Sequence, residues 1–260
     1  MGRRVIGAPV GRAQRWAVTG AVFVVFVLLW LWASQTTGRG NFPPSPGKAF
    51  GRIITDASGP LWSDIWASTW RILIAFTIST AMALPLGVLA GISLRWEAGV
   101  VPFSEFIRYM PVTGFGSLSI VWFGLDEKQK WFIIWLGTFF QQVLMVIDDT
   151  KRVPREFVDV GRTLGMADRR ILRHIVVRAA APRIWDSTRL ALGWAWTWVV
   201  LAELVNADKG LGHAIENGRR LFQYDKIIGY LVVLGIIGLV TDQTLRAVGR
   251  RLFRHEQVRT

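Results

Sequence analysis

The 260-residue chain is 52% hydrophobic, contains no cysteine and has three histidines. This apolar fraction exceeds that of ordinary soluble domains and is typical of a membrane protein with several spans. Neither a disulfide framework nor a thiolate metal site is possible, and the histidines are too scattered to predict a metal centre. The net charge of +13 leaves nucleic acid, anionic lipid or asymmetric membrane loops as explanations, so the positions of the charges must decide.

Six apolar runs are long enough for a helix to cross a hydrocarbon core, which takes about 20 residues. They are Trp16–Ala33, Ile72–Leu94, Val100–Leu125, Trp131–Ile147, Ile184–Val205 and Ile227–Val248. The first follows a basic segment, residues 1–15, and ends in Trp30 and Trp32 rather than a small-residue cleavage site, which predicts a retained anchor and not a signal peptide. Residues 34–71 then form an outer loop with a short interfacial helix, before a five-helix core over residues 72–248.

Basic residues cluster in the N-terminal segment, at Arg95, in the loop between the fourth and fifth spans, and in the tail, residues 249–260. Six spans place all of these segments on one side of the membrane. By the positive-inside rule that side is the cytoplasm, so both termini are predicted to be cytoplasmic. Topology thus accounts for the basic excess, and no nucleic-acid partner is predicted.

The longest of these segments, residues 148–183, is here called the basic loop. Between residues 156 and 182 it reads EFVDVGRTLGMADRRILRHIVVRAAAP. Apolar residues recur at helical spacing on both sides of Gly165, and Asp168 is a suitable N-cap, which predicts two short helices that meet at the glycine. Glycine suits the bend because it adopts positive φ without steric cost. An amphipathic pair lying on anionic lipid would give the same pattern.

The basic loop resembles the "EAA" loop of permease subunits from binding-protein-dependent ABC importers. Asp159, Val160 and Gly161 stand at the acidic-small-small triplet, Gly165 at the glycine, and Ile175 at the aliphatic position nine residues later. The likeness extends from about residue 68 to 253 and includes STWRILIAFTISTAMALPLGVLAGIS, IRYMP, IVWFGLDEKQK and VLAELV…GLGHAI. These motifs resemble the subfamily that transports aliphatic sulfonates, taurine and nitrate. The sequence departs from the loop pattern at Arg178, where a proline is usual.

The resemblance implies a type I importer permease, an all-α polytopic membrane protein in the bacterial inner membrane. It implies a second permease copy, two cytoplasmic ATPases that bind ATP and magnesium, and an extracytoplasmic binding protein. The loop would act as a coupling helix docked on the ATPase. The residues that this implies for ATPase coupling are Asp159, Gly161, Arg162, Leu164, Gly165, Met166, Ala167 and Asp168.

Polar and aromatic residues within the spans are candidates for the solute pathway or its gate, because ionisable groups at membrane depth are costly and often functional. Glu203 is a gate carboxylate or a structural acceptor for a neighbouring helix, and Gln141 and Gln142 line a polar route or bond between helices. Trp194 and Trp198 share a helix face, which suits a pathway or membrane packing. For Arg108 and Asp242, a role as helix-packing partners is favoured over one as ligands of the substrate.

The chain itself is expected to be a transport subunit without cofactor or catalytic residue, since no G-x-x-x-x-G-K-[ST] phosphate-binding loop is present. The alternative is an intramembrane enzyme or a membrane assembly factor without an ATPase partner, but neither H-E-x-x-H nor G-x-S-x-G occurs. The family resemblance favours a small anion such as a sulfonate, taurine, nitrate or bicarbonate as solute.

Overall fold

The computed structural model describes residues 11–36 and 43–254, and every regular element within them is helical. The helices are α1 (Arg12–Thr36), α2 (Pro46–Ala57), α3 (Leu61–Ile92), α4 (Leu94–Tyr109), α5 (Val112–Phe123), α6 (Glu127–Lys151), α7 (Arg155–Thr163), α8 (Asp168–Ile171), α9 (Val177–Asn206), α10 (Leu211–Arg220) and α11 (Tyr224–Leu252). A π-helical turn, Leu172–Val176, joins α8 to α9 without a break. Parts of the predicted N-terminal segment, first loop and tail lie outside the described residues.

Four helices are both long and apolar enough to cross a membrane, and these are α1, α3, α6 and α11. They contain the predicted first, second, fourth and sixth spans. The predicted fifth span lies in α9, a helix of 30 residues whose length of about 45 Å also suffices. Charged residues such as Arg189 and Glu203 lie within α9 and lower its hydropathy. The protein is a multi-pass membrane protein.

The third predicted span is wrong as a single kinked helix. The structure instead has α4 and α5, separated by Met110 in an extended conformation with φ −73° and ψ 129°. Pro111, which follows, has no N–H to donate to the preceding turn and disfavours the helical conformation of the residue before it. The helix therefore stops at Tyr109 and restarts in a new direction at Val112.

The second span also begins earlier than predicted. Helix α3 starts at Leu61, inside the segment assigned to the outer loop, because its polar residues Asp64, Ser68 and Arg71 are buried on an internal face. The expected short helix of that loop is present farther upstream, as α2.

Helix α6 lies at the centre of the fold, with α3 packed along one side and α9 along the other. The main apolar core is built by α3, α6, α9, α10 and α11, with residues such as Ile72, Ile134 and Val199 almost fully buried. Helices α4 and α5 cover α6, whereas α1 meets the rest of the described chain mainly through α2. The large apolar surface of α1 is left uncovered by the other described residues.

Close approach of α3 to α6 depends on Gly87 and Gly91, whose G-x-x-x-G spacing in the sequence predicts tightly packed helices. A Cβ at Gly87 would lie 2.6 Å from Cβ of Val146, and one at Gly91 would lie 2.6 Å from Cβ of Thr150. Both distances are far inside van der Waals contact, so any side chain would push the helices apart. The tight contact expected for these glycines is therefore confirmed, and it is made within one chain.

Candidate functional site

A cavity of about 390 Å³ lies where α4 ends and α5 begins, against the middle of α6 and α9. Its size falls within the roughly 300–1,000 Å³ of small-molecule sites. Its lining residues are Ile107, Arg108, Tyr109, Met110, Pro111, Val112, Phe115, Leu136, Gly137, Phe140, Gln141, Trp194, Thr197 and Trp198. The residues at the break, Met110 and Pro111, thus lie in the lining of the cavity.

The cavity lies near the middle of the helical bundle. Gln141 follows Glu127, the first residue of α6, by 14 residues and precedes Lys151, its last, by 10. These separations correspond to about 21 Å from one end of the helix and about 15 Å from the other. The lining is therefore at membrane depth.

Three of the five predicted pathway residues line this cavity, namely Gln141, Trp194 and Trp198. The two tryptophans lie on one face of α9, as predicted, while Trp196 points into the core and its Nε1 donates to Thr241 Oγ1 at 3.2 Å. Trp198 packs over Gly137 of α6, where a Cβ would lie 2.5 Å from the indole ring. Glycine at this position therefore fixes where one wall of the cavity stands.

Gln142 does not line the cavity. It is fully buried, its Oε1 accepts from Ser79 Oγ at 3.1 Å, and its Nε2 donates to Thr80 Oγ1 at 3.0 Å. Gln142 thus makes the interhelical hydrogen bonds that were one of its two predicted roles, here between α6 and α3.

Glu203 also lies away from the cavity, in a buried polar cluster at the opposite end of α9 from the basic loop. Its side chain accepts hydrogen bonds from Ser68 Oγ at 2.8 Å, from Arg71 Nη1 at 2.8 Å and from the backbone N–H of Gly212 at 2.7 Å. Only 1% of Glu203 is exposed. Of the two roles weighed for it, the structure shows the structural acceptor that joins neighbouring helices.

This polar cluster fastens the start of α10 to α3 and α9. Asp64 accepts from the N–H of Gly210 at 2.9 Å, and Ser68 accepts from the N–H of Leu211 at 2.8 Å. The first N–H groups of a helix have no partner inside it and favour negative charge. The carboxylates of Asp64 and Glu203 supply hydrogen-bond acceptors for these N–H groups as well as negative charge. Arg71 balances this charge, and it also forms an ion pair with Glu127, with Nη2 and Oε1 2.7 Å apart. We call Asp64, Ser68, Arg71, Glu127 and Glu203 the outer cluster, after the side of the membrane on which the topology predicted from the sequence would place it.

Asp242 forms an ion pair with Arg189, with Nη1 and Oδ1 2.9 Å apart. This pair joins α9 to α11 and confirms the expected helix-packing role of Asp242. Arg108, for which the same role was expected, lines the cavity instead and is the one charged residue among its lining residues. The signal in the sequence was its place three residues before Pro111, at the break between helices.

In the basic loop the predicted bend is confirmed. Gly165 has φ +67°, its N–H donates to the carbonyl of Arg162 at 2.9 Å, and the N–H of Met166 donates to the carbonyl of Gly161 at 3.0 Å. This paired arrangement is a Schellman motif, which ends α7. The prediction of Asp168 as N-cap is wrong: Ala167 holds that position and Asp168 is the first residue of α8, without a capping bond from a side chain. Its carboxylate still lies in the first turn, where negative charge is favourable.

Helix α7 folds back onto the segment that follows the bend. A Cβ at Gly161 would lie 2.8 Å from Cδ1 of Ile175 and 3.0 Å from Cγ1 of Ile171, so the glycine permits the close crossing. Away from this crossing, Val160 in α7 is 57% exposed, and Leu164, which directly follows α7, is 72% exposed. Arg162 and Asp159, one turn apart on other sides of α7, are also exposed, 66% and 69% respectively, and lie 3.7 Å apart.

A second cavity of about 770 Å³ separates the basic loop from the ends of α3, α4 and α6. Its rim carries the ion pair between Lys151 Nζ and Glu97 Oε1, 2.6 Å apart, together with Arg155, Arg162 and Asp168. The loop is therefore connected to the helical core through α6 and α9 and is not packed flat against it. Within the described part of the chain, no group of three or more His, Cys, Asp or Glu side chains has the arrangement of a metal site.

Comparison with known proteins identifies the family. Residues 83–254 match the family described as the binding-protein-dependent transport system inner membrane component. An ABC transporter permease protein of Brucella abortus is 34% identical over 215 residues, which cover 82% of this chain and 86% of the relative. A permease protein of Escherichia coli named for the transport of aliphatic sulfonates is 31% identical over 213 residues, covering 81% of each chain.

The fold is shared with a solved structure. A chain of the MetNI methionine ABC transporter in an inward-facing conformation superposes with a TM-score of 0.66, covering 74% of this chain and 95% of that chain at 17% sequence identity. At that identity the likeness concerns the fold alone. Together with the family match, it leads to one conclusion: the chain belongs to the family of inner membrane components of binding-protein-dependent transport systems and is the permease subunit of an ABC importer.

Proposed function

We propose that this permease forms half of a solute pathway and transmits ATP-driven motion to it through the basic loop. Two copies of the chain would enclose the pathway, two separate cytoplasmic ATPases would bind ATP and magnesium, and an extracytoplasmic binding protein would deliver the solute. The observation that carries the proposal is the exposed face of α7. Apolar Val160 and Leu164 are exposed on one side of this segment, 57% and 72% respectively, and charged Arg162 and Asp159 are exposed on its other sides, 66% and 69%.

A mixed apolar and charged face suits a protein partner because apolar contacts give affinity and charges fix orientation. The loop is also joined rigidly to the membrane helices, since the segment after Gly165 continues without a break from α8 through α9. A displacement of the loop would therefore move α9, which carries Trp194 and Trp198 of the cavity. We infer that the cavity beside Pro111 is the part of the pathway at membrane depth.

Six membrane-crossing segments are proposed, with the pair α4 and α5 counted as one and α9 as another. Both termini and Gly165 would then face the cytoplasm, while Pro46 and Asn217 would face outward. The chain has no cysteine, so single cysteines at positions 46, 165 and 217 can be probed with an impermeant thiol reagent on intact cells. Labelling at 46 and 217 alone is expected, and labelling at 165 but not at 217 would reverse the topology.

Coupling is tested at Gly165, where positive φ makes a side chain with Cβ cost about 1–2 kcal/mol. We expect Gly165→Leu to leave the membrane helices folded but to reduce ATPase retention or to uncouple hydrolysis from transport. Gly165→Asn is the matched control, because asparagine tolerates the left-handed conformation better. Reconstituted transport and ATP hydrolysis, measured together, give the result, and normal coupled turnover of Gly165→Leu would refute the coupling role.

The alternative that the loop merely lies on anionic lipid predicts a different outcome at Arg173. Charge reversal in Arg173→Glu would then weaken attachment to anionic vesicles and leave ATPase retention unchanged. If the loop docks on the ATPase, Arg173→Glu is expected to reduce ATPase retention in detergent, where no bilayer is present.

The solute is proposed to be a small anion, of the sulfonate class named for the Escherichia coli relative. Selectivity in such systems would reside mainly in the binding protein, so ligand screening of that partner by thermal shift is the direct test. A bound ligand raises the unfolding temperature of its protein. Stabilisation by cations or sugars only would refute the anion assignment.

A further inference from the structure

We propose that Arg108 is the anion-binding residue of the cavity and that its guanidinium holds the sulfonate or carboxylate group of the solute during passage. The inference rests on the proposed function, because it takes the cavity as part of the solute pathway. It assigns to Arg108 a role different from the helix packing that its sequence position suggested.

The direction of the Arg108 side chain follows from the residues on its face of α4. Ser104, one turn earlier, is 2% exposed, and Val101, two turns earlier, packs against a cluster formed by α3 and α6. Residues at these spacings share a helix face. Phe106 is 65% exposed and is not among the cavity residues, whereas Tyr109 lines the cavity beside Arg108. Arg108 therefore reaches towards α6 and the cavity, where its side chain is exposed.

The guanidinium of Arg108 makes no ion pair with any residue in the described part of the chain. Its polar contacts are long: Nη1 lies 3.4 Å from Gln141 Oε1, and Nη2 lies 3.3 Å from the hydroxyl of Tyr109. Its carbon Cζ also lies 5.0 Å from the centre of the Tyr109 ring. Glu105, one turn before on α4, forms no ion pair with it in the structure. Arg108 thus has only weak neutral partners.

Two other arginines on the membrane-crossing helices are paired tightly with carboxylates. Arg189 lies 2.9 Å from Asp242, and Arg71 lies 2.8 Å from Glu203 and 2.7 Å from Glu127. A charge within a membrane is costly unless it is paired or faces a polar cavity. Arg108 faces the cavity but has no carboxylate partner among the described residues. This contrast distinguishes it from Arg71 and Arg189.

The chemistry of the cavity matches an oxyanion with a short organic tail. A guanidinium donates two parallel N–H groups to two oxygens of a sulfonate or carboxylate, and such charge-assisted bonds are stronger than those to an amide or phenol oxygen. A bound anion would therefore replace Gln141 as the hydrogen-bond partner of Arg108. Trp194 and Trp198 provide apolar walls for the carbon atoms, and no lining residue is acidic. The cavity would exclude a cation and accept a small organic anion.

The test uses the complete transporter in proteoliposomes, with its ATPases and binding protein, and radiolabelled ethanesulfonate as probe. Arg108→Gln removes the charge and is expected to lower uptake at limiting ethanesulfonate about tenfold or more, since hydrogen bonds to charged groups contribute strongly. Arg108→Lys keeps the positive charge but lacks the two parallel N–H groups of the guanidinium, and it is expected to retain intermediate uptake. Arg95→Gln is the matched control, because Arg95 is an exposed arginine of the same helix, and it is expected to transport normally.

Each outcome decides between the claims. No uptake by the wild-type complex with active ATPases would overturn the sulfonate assignment of the proposed function and the inference that rests on it. Wild-type uptake with unchanged Arg108→Gln uptake would overturn the role of Arg108 alone. If Arg108→Gln fails to assemble, Arg108→Lys decides: retained uptake supports the anion site, whereas loss of uptake or of assembly in the lysine variant as well would make Arg108 a structural residue.

Discussion

The outer cluster and the basic loop contain many of the same residue types but differ in the burial and pairing of their charged side chains. In the outer cluster, Glu203 is 1% and Arg71 6% exposed, and each carboxylate or guanidinium has a partner within the chain. In the basic loop, Arg162 and Asp159 are about two-thirds exposed and 3.7 Å apart, beside the exposed apolar side chain of Leu164. The buried charges at one end of the molecule are paired within the chain, whereas charged and apolar side chains at the other end are exposed.

This difference indicates which surface of a single permease chain is a candidate for binding partner proteins. Buried charges must be paired because desolvation is costly, so the paired residues of the outer cluster are expected to stabilise the fold. Apolar residues that no neighbouring helix covers indicate an interaction site when they form a patch with charged residues. Folding stability should therefore be sensitive to the outer cluster and insensitive to the face of α7.

The largest loss of stability is expected from Glu203→Ala, which leaves Arg71 with one carboxylate fewer and the N–H of Gly212 without a partner. Removal of one member of a buried ion pair costs about 3–5 kcal/mol. Unfolding in detergent micelles measures the change. Asp208→Ala, an exposed carboxylate of the same outer region, is the control and should shift stability by less than about 0.5 kcal/mol. Equal effects of both substitutions would contradict the structural role of the outer cluster.

A smaller loss is expected where α3 meets α6. Gly87→Leu and Gly91→Leu place side chains against Val146 and Thr150, and overpacking of this kind costs about 1–3 kcal/mol or more. Gly99→Leu serves as control, since no atom lies within 4 Å of a Cβ built at that position. The measurement is unfolding in the same detergent. A loss for Gly99→Leu as large as for Gly87→Leu would argue against close packing as the cause.

A smaller change in stability is expected from the pH response of Glu216, which lies in α10, outside the membrane-crossing helices. Hydrogen bonds from Arg219 and then Arg220 lower the pKa of Glu216 from 4.5 to about 2. A carboxylate whose folded pKa is depressed adds stability above its unfolded value, and that stability is lost as pH falls from about 4.5 towards 2. Because both arginines are 68% exposed, the effect should stay below about 1 kcal/mol.

Unfolding as a function of pH, compared with Glu216→Gln, isolates this contribution. The wild-type and variant curves should run parallel at neutral pH and converge only in acid. A difference that disappears already near neutral pH would show that the ion pairs do not hold the carboxylate ionised.

The smallest effect on stability is expected from Leu164→Glu, at the residue that directly follows α7. Leu164 is 72% exposed, so the substitution should change the free energy of unfolding by no more than about 0.5 kcal/mol. The same variant should retain markedly less ATPase on co-purification, because the new carboxylate would lie within the proposed docking surface. If the variant lost stability but retained the ATPase normally, Leu164 would stabilise the fold and not dock the ATPase. That result would contradict the comparison between the two regions.

Much of this arrangement could be read from local sequence. The bend at Gly165 was predictable because glycine between two amphipathic segments is a local signal, and the contact at Gly87 and Gly91 because four-residue spacing puts both on one helix face. The break at Pro111 was underestimated, since a proline within an apolar run is compatible with both a kink and a stop. Asp168 was misplaced by one residue as N-cap, because several residues after a helix bend can serve as cap.

The roles of polar residues at membrane depth could not be assigned in the same way. Gln141 and Gln142 are adjacent in sequence, yet one lines the cavity and the other bonds to Ser79, since neighbouring residues on a helix point about 100° apart. Glu203 and Arg108 both looked like isolated charges in apolar runs. Whether such a charge is paired depends on residues that may be more than a hundred positions away, as Ser68 is from Glu203.

By itself, the sequence determined the all-helical membrane class, the positions of the main apolar helices and the bend of the basic loop. These features follow from hydropathy, spacing and glycine conformation, which act over a few turns of chain. Only the tertiary structure decided that Glu203 is enclosed by Arg71 and Gly212, that Pro111 lines a cavity beside α6, and that Arg108 faces it without a carboxylate. Those features depend on which helices meet, and helix contacts are fixed by the packing of side chains distant in sequence.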